Sequence, residues 1–416
     1  MTASPRGTHP TGSVRWIWAV TGIALAFRLA LACEAPPVIA FIDGREYEAV
    51  AMSLLQHGNF GGNVLRPPGY PTLMAAVWTV TGHDLLALRI VESLIGAFSV
   101  WLLTRAGIRH FGTIGGVVAG ALAAIHPVLA LLPSTEYSEN SLVTLMIAAG
   151  ACVLSALDAP GRALRWWGGA GLLLGLSCLW RPNVVLFVPG LLLSTAFVLA
   201  RQRRPVLAPI LVCALAMVVA LAPWTVRSHR VFHRWYFVAI GGGRALWLGN
   251  NPALDAQHYR NAMPEGALAE RLAAAPSVFE QDEILRQAGW SEIRRDPVRA
   301  TGLYFLRLRV LLALWPETQS HTRWMVDAAR WAQAIVSILM FVGVLLAVGL
   351  LGRAPPLIPL VGGTVTYLLG TALFFTTMRY RMPVEPVFLW MAGIGWASLS
   401  VLRRTNPAPG RPVEAA

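Results

Sequence analysis

The feature that most constrains this chain is a succession of apolar runs with few charges, each close to the length a helix needs to cross a bilayer. They occupy about residues 16–33, 85–104, 113–132, 141–157, 167–179, 184–200, 206–224, 331–351, 357–377 and 384–402. A helix rises 1.5 Å per residue, so roughly 20 residues cover a hydrocarbon core of about 30 Å. A helix also satisfies its own backbone hydrogen bonds where no water can do so. The spacing predicts an all-α polytopic membrane protein with about ten transmembrane helices, and 416 residues leave ample length for loops.

Composition supports that class. Only 13% of the residues are charged and 56% are hydrophobic, against roughly 25% charged in soluble domains. The net charge of +13 does not point to nucleic acid, because the basic residues are dispersed between apolar runs and form no basic stripe or aromatic RNA-binding motif. Every one of the 34 basic residues is arginine, a usage that fits a GC-rich bacterial genome. Cys33, Cys152, Cys178 and Cys213 each lie in an apolar stretch without a CxxC pair, so they read as small core residues rather than zinc ligands or disulfides. The run ending at Cys33 has the outline of a lipidated signal peptide; an uncleaved first helix is the expectation, because it sets an orientation that the later loops support.

With a cytoplasmic N-terminus, the inside segments carry arginines from Arg6 and Arg15 through Arg403, Arg404 and Arg411, with only Asp158 and Glu414 as acids. That distribution obeys the positive-inside rule and places the acidic residues outside. The expected location is a bacterial inner membrane, with both termini cytoplasmic and the active site facing outward. The organisation read from the sequence is an N-terminal transmembrane region over 1–224 whose first outside loop, 34–84, carries chemistry. An external cap follows over 225–330, then C-terminal transmembrane helices over 331–404 and a disordered tail over 405–416. Within the first loop, residues 71–81 are apolar but too short to span, which predicts an interfacial or re-entrant helix. Residues 304–314, with Arg307 and Arg309 among apolar neighbours, predict another.

Long loops on a rigid scaffold are where chemistry tends to reside. The first opens with Phe41-Ile42-Asp43-Gly44-Arg45-Glu46-Tyr47, which puts Asp43 at the mouth of the membrane domain. Some twenty residues later, Arg66-Pro67-Pro68-Gly69-Tyr70-Pro71 presents a cation on a turn stiffened by proline, and arginine offers a planar donor fork suited to phosphate oxygens. Each residue has a bland alternative: a helix N-cap for Asp43 and a snorkelling side chain for Arg66. Glu136 and Glu139, Arg181, and Arg379-Tyr380-Arg381 also fall at outer helix ends, where charge is usually paired, cavity-facing or functional. In the cap, Gly241-Gly242-Gly243 is followed by Trp247 and Asn250, which read either as a stacking face with a polar amide for sugar or as a packed turn seating the cap.

These pieces, in this order and topology, resemble the membrane glycosyltransferases of family 39 and their bacterial relatives in the GT-C superfamily, which include protein-mannose and aminoarabinose transferases. The pieces are the Asp43 loop with Tyr47, the Arg66 to Pro71 turn, Arg181-Pro182, Pro223-Trp224 with Arg227, the stretch from Gly241 to Pro252, and Arg379-Tyr380-Arg381 with Pro383. The resemblance implies a GT-C fold and an inverting transfer of a sugar from a polyprenyl-phosphate carrier to a glycan, lipid or protein acceptor. It implies Asp43 as general base and Arg66, with Arg379 or Arg381, as the phosphate-binding cations; Tyr47, Tyr70, Arg181, Trp247 and Asn250 are candidates for substrate contact. Many relatives carry a second acid directly after the first, whereas Gly44 stands here, so Glu46 or Glu139 is left as the candidate second carboxylate. No cofactor is demanded; a divalent metal is possible but not indicated, and no metal ligands are assigned. Two other classes have the same gross features: a flippase or transporter for lipid-linked sugar, and a surface-polysaccharide ligase or polymerase. No related halves with broken helices are visible, which disfavours a transporter.

Overall fold

The computed structural model describes residues 11–253, 264–314, 323–350 and 355–405. Among them every regular element is helical. In chain order the helices are α1 (Thr11–Glu34), α2 (Ile42–His57), α3 (Gly69–Thr81), α4 (Leu85–Ile125), α5 (Pro127–Leu131), α6 (Glu139–Asp158), α7 (Ala163–Trp180) and α8 (Phe187–Arg201). They continue with α9 (Leu207–Phe232), α10 (Gly242–Asn250), α11 (Gly266–Ala273), α12 (Val278–Arg295), α13 (Pro297–Leu311), α14 (Arg323–Val348), α15 (Ile358–Thr371) and α16 (Glu385–Thr405).

The protein is a polytopic membrane protein; the expected count of about ten spans is not confirmed. Among the described residues six helices are long and apolar enough to cross a membrane, those at Ser13–Glu34, Leu85–Ile125, Glu139–Asp158, Pro182–Arg201, Leu207–Phe232 and Arg330–Val348. The helix at Ile358–Thr371 is apolar but shorter. Part of the difference is α4, which joins two of the expected runs. Its backbone breaks at Gly112, with φ 86° and ψ 166°, a combination open essentially only to glycine. Gly107 then lies against Gly116, and Thr104 against Gly120, so the two legs fold back on each other. α7 and α16 also fall outside the six, which are distinguished by length and apolar composition. α7 packs between α6 and α9, and Glu385 to Gly393 of α16 are all buried; neighbours, rather than a uniformly apolar surface, shield such helices from lipid.

Between α1 and α4 the chain makes the two short helices anticipated for the first loop. α3 has 13 residues, about 20 Å at 1.5 Å each and too short to span. Its Tyr70, Met74 and Trp78 are buried against Tyr47 and Ala51 of α2, so the pair is a small satellite core on the main bundle. In the cap, Asp282 of α12 accepts hydrogen bonds from the amides of Gly243 and Arg244 (3.1 and 2.9 Å), which ties the start of α10 to α12. The tail anticipated at 405–416 lies, beyond Thr405, outside the described residues.

Candidate active site

Asp43 occupies the first turn of α2, after an extended Phe41 that starts the helix. A carboxylate is favoured there by the helix N-terminus. Helical spacing brings Glu46 and Tyr47 one turn above it. α2 stops at Gly58 in the left-handed conformation, and the returning loop is fixed by Asn63, whose Oδ1 accepts from the Arg66 amide at 3.0 Å while its Nδ2 donates to the Arg66 carbonyl at 2.8 Å. Arg66, so held and followed by two prolines, reaches back to α2. Its Nη2 donates to Asp43 Oδ1 at 2.7 Å and its Nε to Glu46 Oε2 at 2.5 Å, with its guanidinium over the Tyr47 ring.

The other half of the site arrives from the far end of the chain. Residues Met378–Val384 form a short 3₁₀ helix, from which Arg379 donates through Nη2 to Asp43 Oδ2 at 2.6 Å. Its Nε lies 2.9 Å from Glu139 Oε1, and its guanidinium sits 3.8 Å from the Tyr137 ring centroid. Glu139, in the first turn of α6 and fully buried, also meets Arg181 Nη2 at 2.9 Å. Arg181 in turn lies 4.7 Å from the Tyr380 ring centroid. The result is a line of alternating sign, Glu46, Arg66, Asp43, Arg379, Glu139, Arg181. The Glu46 side chain is 43% exposed at one end, Asp43 is 23% exposed, and Glu139 is sealed.

Electrostatics follow from this line. Burial alone would raise the Asp43 pKa, but Arg379 and Arg66 outweigh it and hold the carboxyl at about 2. Burial works against the charges of Arg66 and Arg379, yet their carboxylate partners hold both above the usual arginine value. Burial pushes the Tyr137 hydroxyl up to about 12. A second, separate pair lies behind: Arg89 donates to Glu136 at 2.7 Å and to the carbonyls of Ala35 and Pro36, seating the segment that leads into α2. Gly44 packs under it. A Cβ there would come within 2.6 Å of Ile39 Cγ2 and 3.2 Å of Glu136 Cβ, so this position has no room for a second acid.

Of the residues anticipated from sequence, Asp43, Glu46, Tyr47, Arg66, Glu139, Arg181 and Arg379 converge. Tyr70 lies beneath them, buried and edge-on to Tyr47 with centroids 5.2 Å apart. Three do not join. Arg381, expected beside Arg379, is fully buried and pairs with Glu385 at 2.6 Å and with the carbonyls of Leu311 and Ala313. Residues two apart in a 3₁₀ helix of three per turn point to different sides, and that geometry separates the two arginines. Trp247 and Asn250 are buried; the Asn250 amide donates to the Leu246 and Leu373 carbonyls. They seat the cap and offer no open stacking face. Tyr137 and Tyr380 were not singled out from sequence; their signal is an aromatic residue directly beside a charged one at a helix end.

Residues 65–226 match the family model described as dolichyl-phosphate-mannose-protein mannosyltransferase. That span includes Arg66, Glu139 and Arg181. A polyprenol-phosphate-mannose–protein mannosyltransferase of Mycolicibacterium smegmatis (strain MKD8) is 27% identical over 203 residues, 41% of this chain and 39% of the relative; the chain thus spans about two fifths of the length of the curated relatives it matches. The archaeal oligosaccharyltransferase AglB from Archaeoglobus fulgidus, in a complex with an inhibitory peptide and a dolichol-phosphate, superposes with a TM-score of 0.55 at 11% identity. The match covers 96% of this chain and 52% of that one. An Archaeoglobus fulgidus oligosaccharyltransferase in the apo form gives a TM-score of 0.54 at 13% identity, over 98% of this chain and 54% of that one. The fold is the GT-C fold. The resemblance to family 39 read from the sequence holds over residues 65–226, and the GT-C architecture accounts for nearly the whole chain.

Proposed function

We propose that this GT-C protein transfers a sugar from a polyprenyl-phosphate carrier to an acceptor hydroxyl or amine on the outer side of a bacterial inner membrane. The observation that carries the reading is Asp43 held between Arg66 and Arg379, a carboxylate beside two cations where a lipid headgroup would lie. The acceptor oxygen or nitrogen attacks the anomeric carbon from the face opposite the phosphate, its proton passes to the Asp43 carboxylate, and the bond from carbon to phosphate oxygen breaks. The leaving polyprenyl phosphate takes up the bonding electrons and the charge. Arg66 and Arg379 meet that charge. Phosphate is an adequate leaving group without an acid, and a positioned base contributes roughly 10²- to 10⁴-fold. The likeness in residues 65–226 to an enzyme named for polyprenol-phosphate-mannose supports a donor of this class; an outward-facing site rests on the arginine distribution.

The expected outcome is that Asp43→Asn folds and loses transfer from a polyprenyl-phosphate sugar by at least about 10²-fold. An asparagine variant with full activity would sink the assignment. Because Asp43, Glu46 and Glu139 are each tied to arginine, we propose that guanidinium groups rather than a resident divalent ion stabilise the leaving phosphate. Transfer in the same assay should survive a chelator.

A further inference from the structure

We propose that Asp43 competes with the donor phosphate for the guanidinium groups of Arg66 and Arg379, so that an arriving phosphate frees the carboxylate and a departing one is replaced by it. This rests on the proposed donor class and adds a role that a base alone does not have.

The geometry makes the competition direct. An arginine grips phosphate best through two N–H groups on one edge of its planar fork. In Arg66 the Nε donates to Glu46, and in Arg379 it lies 2.9 Å from the buried Glu139 in an ion pair. The edge left for a ligand on each is the one formed by Nη1 and Nη2, and in both residues Nη2 is bound to Asp43, at 2.7 and 2.6 Å. Nη2 carries two N–H groups, so a phosphate seated on both forks shares each Nη2 with Asp43 and sets two negative groups against the same nitrogens, which favours displacement of the carboxylate. Glu46 and Glu139 stay behind the cations as their anchors.

Charge counting gives the return step. The site sets Arg66, Arg379 and Arg181 against Asp43, Glu46 and Glu139, and these formal charges cancel. A phosphodiester donor adds one negative charge. After transfer the phosphate monoester carries nearly two, while Asp43 holds the acceptor proton and is neutral, so the total is unchanged. Loss of that proton to solvent adds a further negative charge beside the product. The restored carboxylate then takes back the two Nη2 groups as the phosphate leaves. Arg181 and Tyr137 also act on Asp43 through charge, Glu46 and Glu139 share its arginines and Tyr47 lies under Arg66, so an Asp43 variant is needed to assign any pH effect.

The test is binding of undecaprenyl phosphate to the purified full-length protein at pH 7.5. Asp43→Asn should bind at least about tenfold more tightly than wild type, because the competitor has lost its charge, and Arg66→Ala and Arg379→Ala at least about tenfold more weakly. Equal or weaker binding by Asp43→Asn overturns the competition. Should that variant not fold, wild type is titrated with undecaprenyl-phosphate-mannose, a phosphodiester without a second ionisation, between pH 4.5 and 7.5. Affinity that rises toward acid supports proton uptake by a displaced Asp43; a flat profile overturns it. The rise should vanish in Asp43→Asn, or in Asp43→Ser where the asparagine variant does not fold. Absence of arginine-dependent binding in wild type would instead remove the donor reading itself, whereas arginine-dependent binding indifferent to Asp43→Asn removes only the competition.

Discussion

Two arginines decide how Asp43 titrates. Burial raises its pKa, but Arg379 and Arg66 bring it to about 2. A carboxyl depressed in the folded state adds stability above its unfolded pKa of about 3.9 and loses it as pH falls toward the folded value. The same sign governs activity: the pH profile of kcat/KM reports the free enzyme. With a polyprenyl-phosphate sugar as donor, kcat/KM should show no acidic limb from Asp43 between pH 8 and 4; a limb near pH 6 that Asp43→Asn removes would contradict the ion cluster. At this scale the sequence is informative where a residue type is chemically odd for its place. Asp43 directly after an apolar helix, Arg66 in a proline turn and Arg379 between two helices were all legible on that ground. Arg381 has the same sequence signal as Arg379 and the opposite destination, because nothing in a dipeptide spacing tells which side of a 3₁₀ turn faces the core.

The helices position these residues through contacts that tolerate little. Gly69 opens α3 three residues after Arg66, and a Cβ there would run into the indole of Trp180, whose Nε1 donates to Ser141 Oγ at 2.8 Å. Gly69→Ala should therefore lower thermal stability by about 1–3 kcal/mol, the usual cost of overpacking, and slow transfer by shifting the Arg66 turn; a melting curve and a rate assay on one preparation check both. Element existence was readable from apolar run length, as was the short α3, whose 13 residues cannot span. The number of spans was less so. Run length does not reveal that a single glycine at 112 reverses α4 on itself, nor which helices are shielded by others and so need less apolar surface.

Across the whole molecule, the last helix connects the site to the packed interior. Arg381 and His126 both bond Glu385, at 2.6 and 3.0 Å, and all three are fully buried. Arg381→Leu should destabilise the protein by about 3–5 kcal/mol, because it strands a buried carboxylate, while the folded fraction keeps its affinity for undecaprenyl phosphate; weakened binding there would return Arg381 to the site. The bilayer-spanning architecture was legible because composition and run length report on lipid directly. The convergence of Asp43 with Arg379, 336 residues apart, was legible only through the topology that put both on one side. The anchoring of Arg381 has a temporal consequence. With the backbone two residues beyond Arg379 bolted to Glu385, Leu311 and Ala313, exchange of partners at Arg379 is left to rotation of its side chain. Such rotations belong to a far faster regime than the microsecond-to-millisecond shifts of whole helices. Under the proposed competition, that exchange requires no rearrangement of the scaffold.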